Sequence, residues 1–163
     1  MKSIKLVALS AFLTIGTFCA VLYNSSCTKD KCKDVTCQHG GTCSGGNCTC
    51  TTGYEGTNCE TKSRDKFVGT YTGSEICTVG TDNYSIVLSA GSSDLVLTYT
   101  NLYNEAFTAT CTMAATDSFS FSGSQSGATF SGTGRLVTNT LTVHYTIVNA
   151  ASVSNTCVFT GTK

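Results

Sequence analysis

Residues 32–60 read CKDVTCQHGGTCSGGNCTCTTGYEGTNCE, a run with six cysteines at Cys32, Cys37, Cys43, Cys48, Cys50 and Cys59. So short a segment cannot bury enough apolar surface to fold unaided, and covalent staples supply what its core lacks. Disulfides persist outside a reducing cytosol, so the run places the chain in an oxidising compartment. Spacing alone leaves fifteen possible pairings of six cysteines. Structural zinc usually takes paired C-x2-4-C knuckles, often with histidines; here the only close pair is Cys48-x-Cys50 and the nearby histidine is His39 alone, so no metal is expected.

Between the cysteines stand Cys37-Gln38-His39-Gly40-Gly41-Thr42-Cys43 and Cys50-Thr51-Thr52-Gly53-Tyr54-Glu55-Gly56-Thr57-Asn58-Cys59. The paired glycines of the first allow a tight turn, and in the second two glycines flank an aromatic able to cover a small sulfur core. Together these motifs resemble an EGF-like domain over residues 32–60. The resemblance implies Cys32 with Cys43, Cys37 with Cys48, and Cys50 with Cys59. The residues before the first cysteine, Thr28-Lys29-Asp30-Lys31, offer one carboxylate between lysines, an incomplete version of the calcium group of calcium-binding members, and no cofactor is expected.

Upstream, Lys2 and Lys5 precede an uncharged stretch from Leu6 to Thr28, apolar through Leu22, which reads as a secretory signal over residues 1–26; an uncleaved anchor helix is the alternative. Asn24-Ser25-Ser26-Cys27 resembles the lipobox of bacterial lipoproteins, with Asn24 where a strict lipobox has leucine. That resemblance implies lipidation of Cys27, a lipidated tether over residues 27–31, and a membrane partner through the lipid. Thr28-Lys29-Asp30 is similar to signals that send lipoproteins of the Bacteroidota to the exterior face of the outer membrane.

Downstream, residues 61–66 read as a linker and 67–163 as an all-β domain, a barrel or a sandwich. Eight antiparallel strands are expected: Phe67 to Thr78, Tyr84 to Ala90, Leu95 to Leu102, Phe107 to Met113, Ser118 to Ser122, Ala128 to Val137, Leu141 to Val148 and Thr156 to Thr162. Turns are expected at Gly80–Asn83, Gly91–Asp94, Asn104-Glu105, Gly123–Gly127 and Thr138-Asn139. Alternation turns Phe107, Ala109, Cys111 and Met113 to one face, and Leu141, Val143, Tyr145 and Ile147 to another such stripe opposite His144. In a closed up-and-down barrel the first and last strands are neighbours, which pairs Cys77 with Cys157 and leaves Cys111 as a free thiol; Cys111 with either of the others is the rival. Phe67-Val68-Gly69-Thr70-Tyr71 resembles the opening strand of lipocalin barrels. The EGF-like run followed by Lys66-Phe67-Val68-Gly69-Thr70-Tyr71, Cys77 and a terminal Thr156-Cys157-x-x-x-Gly161-Thr162-Lys163 resembles, over nearly the whole mature chain, a group of lipoproteins of the Bacteroidota.

Charge and catalytic residues are sparse. From Thr28 onward eight basic residues face ten acidic ones, and in the β domain Lys66, Arg135 and Lys163 face Asp65, Glu75, Asp82, Asp94, Glu105 and Asp117, so no basic groove awaits nucleic acid. The two histidines, His39 and His144, sit in no catalytic or metal-binding context, and Asp82, Asp94 and Asp117 read as turn residues. The expected function is a non-enzymatic binding or adhesion module on an EGF-like stem at the cell surface, with an extracellular protein or glycan as partner and the tip Tyr103-Asn104-Glu105 as a contact candidate. The alternative is a lipocalin-like carrier holding a small apolar ligand in its lumen.

Overall fold

The computed structural model describes residues 30–163. The segment expected as a signal and Cys27 lie outside them. The cysteine module comes first, with β1 (Thr42–Ser44) and β2 (Asn47–Thr49) as one two-stranded ladder and β3 (Tyr54–Glu55) and β4 (Thr61–Lys62) as another. Disulfides join Cys32 to Cys43, Cys37 to Cys48 and Cys50 to Cys59. The His39 ring stacks on Tyr54 at 4.0 Å, and its Nδ1 lies 2.8 Å from the Cys59 carbonyl oxygen.

Residues 61–66, expected as a linker, are built into both neighbours. Thr61 and Lys62 pair with Glu55 and Tyr54, and Ser63–Phe67 form a 3-10 helix. Arg64 Nη1 donates to the carbonyls of Gly91, Ser93 and Val96, while Lys62 Nζ lies 2.9 Å from Asp94 and the Tyr54 hydroxyl donates to the same carboxylate at 3.2 Å. Gly53, at φ +89°, approaches so closely that a Cβ there would lie 1.9 Å from Leu95 Cδ2. The module is therefore docked on the 91–95 turn. Arg64→Ala should cost about 2 kcal/mol, since hydrogen bonds to a charged donor are lost from a mostly buried site. Hydrogen exchange should quicken at residues 91–96 and stay unchanged in the far strands; unaltered protection at 91–96 would discount the clamp.

Eight strands then close an up-and-down antiparallel barrel: β5 (Gly69–Cys77), β6 (Gly80–Ala90), β7 (Val96–Leu102), β8 (Phe107–Ala115), β9 (Ser118–Gln125), β10 (Ala128–Val137), β11 (Thr140–Val148) and β12 (Ser154–Thr162). Each pairs with its neighbour in sequence, and β12 pairs with β5 to close the circle, with Cys157 opposite Cys77 and a disulfide between them. Cys111 stays free and buried. The expected turn at Gly80–Asn83 is corrected to Thr78-Val79. Gly80 to Asn83 already pair with β5, because the Thr78 amide bonds the Thr156 carbonyl at the anchored end of β5 and the chain must reverse at once. Likewise β9 runs on to Gln125, leaving only Ser126-Gly127 as the turn, because Gly123 pairs with Phe130 instead of breaking the strand.

That pairing belongs to a pattern that fills the lumen. Phe119 lies opposite Gly134, Phe121 opposite Gly132 and Phe130 opposite Gly123. A Cβ at Gly134 would meet Phe119 Cζ at 2.2 Å, and one at Gly123 would meet Phe130 Cε2 at 2.7 Å, so the inward glycines make room for the rings. Phe121 in turn meets Tyr99, Phe119, Phe130 and Tyr145, with ring centroids 5.7 to 6.5 Å apart. Phe67, wholly buried on the 3-10 helix, packs edge-on against Phe119 and plugs the end next to the module. Lys163 secures that plug through the Val68 carbonyl and the face of Tyr71. The distal end is left open.

Candidate functional site at the distal mouth

Strand alternation in β5 turns Tyr71, Gly73, Glu75 and Cys77 inward, while Ile76 points out at 62% exposure. Glu75 is thus carried into the barrel and is only 2% exposed. Its Oε1 accepts the hydroxyls of Tyr84, at 2.6 Å, and of Tyr145. Both bonds fall on one oxygen, and the second is left for another donor. Tyr99, fully buried nearby, has a hydroxyl with no partner among the described residues.

Burial raises the pKa of each of these tyrosines, with the nearby carboxylate adding to the effect. Tyr71 is pushed up to about 12 by burial alone, and the Cys111 thiol likewise to about 12. A group whose folded pKa exceeds its unfolded value stabilises the fold fully below the unfolded value and loses that contribution as pH rises through the folded one. Since free tyrosine titrates near 10, the barrel should hold its stability to about pH 10 and lose it above, toward pH 12 and beyond. Tyrosinate absorbance from Tyr71, Tyr84, Tyr99 and Tyr145 should then rise together with loss of the sheet signal. Ionisation of these four near pH 10 with the sheet intact would contradict this.

Glu75 lines a pocket of about 340 Å³ together with Cys77, Asp82, Tyr103 and Glu105. Asp82 stands directly across from Glu75 in the β5–β6 ladder, an arrangement of like charges that disfavours the pairing unless something neutralises it. A second chamber of about 210 Å³ shares Val79 and Tyr103 with the first and is lined by Asn155. Asn155 is 5% exposed; its Nδ2 donates to the Tyr103 hydroxyl at 2.9 Å, and its Oδ1 has no donor among the described residues.

The loop that presents Tyr103 has an unusual backbone. Asn101, Tyr103, Asn104 and Ala106 all have φ between +52° and +69°, a region that costs a side chain energy and that persists only where surroundings enforce it. Asn101 does the enforcing, with Nδ2 donating to the Ser85 carbonyl at 2.8 Å and Oδ1 accepting the Ala106 amide at 3.1 Å. The candidate contact tip Tyr103-Asn104-Glu105 therefore sits at the mouth, held by its neighbours.

The other sequence candidates fall elsewhere. His39 belongs to the module, His144 faces outward on β11, Asp94 joins module to barrel, and Asp117 pairs with Arg135 at 2.9 Å. Asp82, read as a turn residue, is a strand residue at the mouth. Glu75, Tyr84, Tyr99 and Asn155 were not singled out from sequence, although the alternation Tyr71-x-Gly73-x-Glu75-x-Cys77 already turned Glu75 toward the lumen. Chemically, the mouth offers acceptors: three carboxylates and an amide oxygen, with no Lys, Arg or His in its lining. Among the described residues, the one group with three metal-ligand atoms close together is Glu75 with Cys77 and Cys157, whose sulfurs are already joined to each other. No protein-family model matches this chain, and no curated protein matches it.

Proposed function

We propose that this chain is a non-enzymatic cell-surface lipoprotein in which an EGF-like stem, residues 32–60, follows a lipidated Cys27 and presents the barrel as a binding module to an extracellular protein or glycan. The observation that carries this reading is the position of the mouth. The acceptor-lined pocket opens at the end of the barrel opposite the docked cysteine module, so a chain anchored ahead of that module turns the pocket away from the membrane.

The site chemistry supports binding over catalysis: Glu75 has tyrosine hydroxyls and a cystine for company, and no histidine or free nucleophile lines the pocket. The packing of Phe119, Phe121 and Phe130 across the lumen weighs against an apolar cargo carried inside, since ligand cavities need a few hundred Å³ of open apolar space. Fatty-acid labelling in a lipoprotein-exporting bacterium tests the reading. The native chain should take up label and display the 149–153 loop to antibody on intact cells, and Cys27→Ser should lose both; label retained by the variant sinks the lipoprotein assignment.

A further inference from the structure

The barrel mouth gathers the buried carboxyl of Glu75 with Asp82 and Glu105 and has no basic side chain in its lining. Among the described residues Glu75, Asp82 and Glu105 make no salt bridge. The basic residues of the barrel, Arg135 and Lys163, lie toward the module end, Arg135 bound to Asp117 and Lys163 to the carbonyls of Lys66 and Val68. A carboxylate taken out of water is costly unless it is paired or hydrogen-bonded, and the two tyrosine hydroxyls serve only one oxygen of Glu75. Independently, Asn155, which lines the adjoining chamber and is only 5% exposed, holds an Oδ1 with no partner among the described residues. Both oxygens are acceptors, and an N–H donor suits each.

We infer that the distal mouth is a recognition site for an organic ammonium group, with Glu75 as the counter-charge, Asp82 and Glu105 as the attracting rim, and Asn155 Oδ1 accepting a second N–H of the same ligand. This rests on the reading of the barrel as a binding module and names what that module takes. A bare metal ion fits less well, because the three carboxylates do not form a group with their oxygens close enough to share one ion. The ligand chemistry is that of a free diamine or of a lysine side chain in a peptide. The strained 101–106 loop keeps Tyr103 bonded to Asn155 and so holds the second chamber in shape before binding.

Calorimetric titration of the disulfide-intact protein with 1,5-diaminopentane, with Nα-acetyl-lysine N-methylamide and with its neutral norleucine counterpart tests the assignment, calcium chloride serving as a separate arm. Either cation should bind, more weakly as salt rises, and the neutral compound should not. The preference between the two separates a free amine from a peptide source. Glu75→Gln, which keeps an oxygen for the tyrosine hydroxyls, should weaken binding at least tenfold; the exposed Glu105→Gln should weaken it about threefold with an unchanged melting temperature. Equal binding of the norleucine compound, undiminished binding by both variants, or binding of calcium alone overturns the ammonium site. If no cation binds while an array glycan or neutral peptide is held and released by Tyr103→Ala, the ammonium site falls and the binding module stands. If nothing binds the distal end, both fall.

Discussion

Phe121→Ala should destabilise the barrel by about 3–5 kcal/mol, the range for deleting a large aromatic from a well-packed core. Phe121 is the ring on which the lumen converges, in contact with Tyr99, Phe119, Phe130 and Tyr145, and it lies over Gly132, which has no side chain to slide into the space. The strands are tied into a closed circle and cannot collapse inward as a loose helix might, so the cavity should remain largely open. Since small domains are stable by only about 5–15 kcal/mol, the loss is a large share of the whole. Urea unfolding should show the midpoint falling with little change in slope. A loss under 1 kcal/mol would mean that the rings do not form one packed unit, and the case against a lumenal cargo would weaken with it.

Removal of the Cys77–Cys157 disulfide should be comparably severe. The bond joins residues 80 apart in sequence, and the chain-entropy estimate for a loop of that length is about 4 kcal/mol. It also stitches β5 to β12, the pair that turns an open sheet into a closed barrel. The double variant Cys77→Ala/Cys157→Ala avoids new thiols and should lower the melting temperature by roughly 15 °C or more in a domain of this size. Hydrogen exchange should rise first in β5, which carries Glu75, and in its partner β12. If the double variant melts within a few degrees of the native protein, the ladder hydrogen bonds alone hold the seam.

Much of this architecture was legible because its signals are local. Alternation in β8 and β11 named the inward residues Ala109, Cys111, Met113, Leu141, Val143, Tyr145 and Ile147, and those residues are buried. Where turns were misjudged, at Gly80–Asn83 and Gly123–Gly127, residues with turn chemistry are drawn into strands by pairing. Gly123 and Gly80 look like loop residues in isolation. Once Phe130 needs the space above Gly123, the same glycine becomes a strand residue with a packing role.

The candidate site was less legible for the same reason. Glu75 was counted among scattered acids, since the alternation that turns it inward says nothing of the groups it meets there. Its partners arrive from β6 and from β11, nine and 70 residues away. The docking of residues 61–66 was hidden for a related reason: Arg64 finds its three carbonyl partners 27 to 32 residues downstream, and a polar stretch without periodicity gives no hint of them.

By itself, then, the sequence determined a cysteine-stapled module followed by an eight-stranded β domain, because cysteine spacing and two-residue alternation act over a few residues at a time. Barrel rather than sandwich, a filled rather than hollow lumen, and an acidic mouth at the end away from the module were decided only by tertiary structure. Each depends on which strand lies beside which. Closure of β12 on β5, the seating of rings over glycines across a strand gap, and the gathering of Glu75, Tyr84, Tyr145 and Asn155 bring together residues that are distant in the chain.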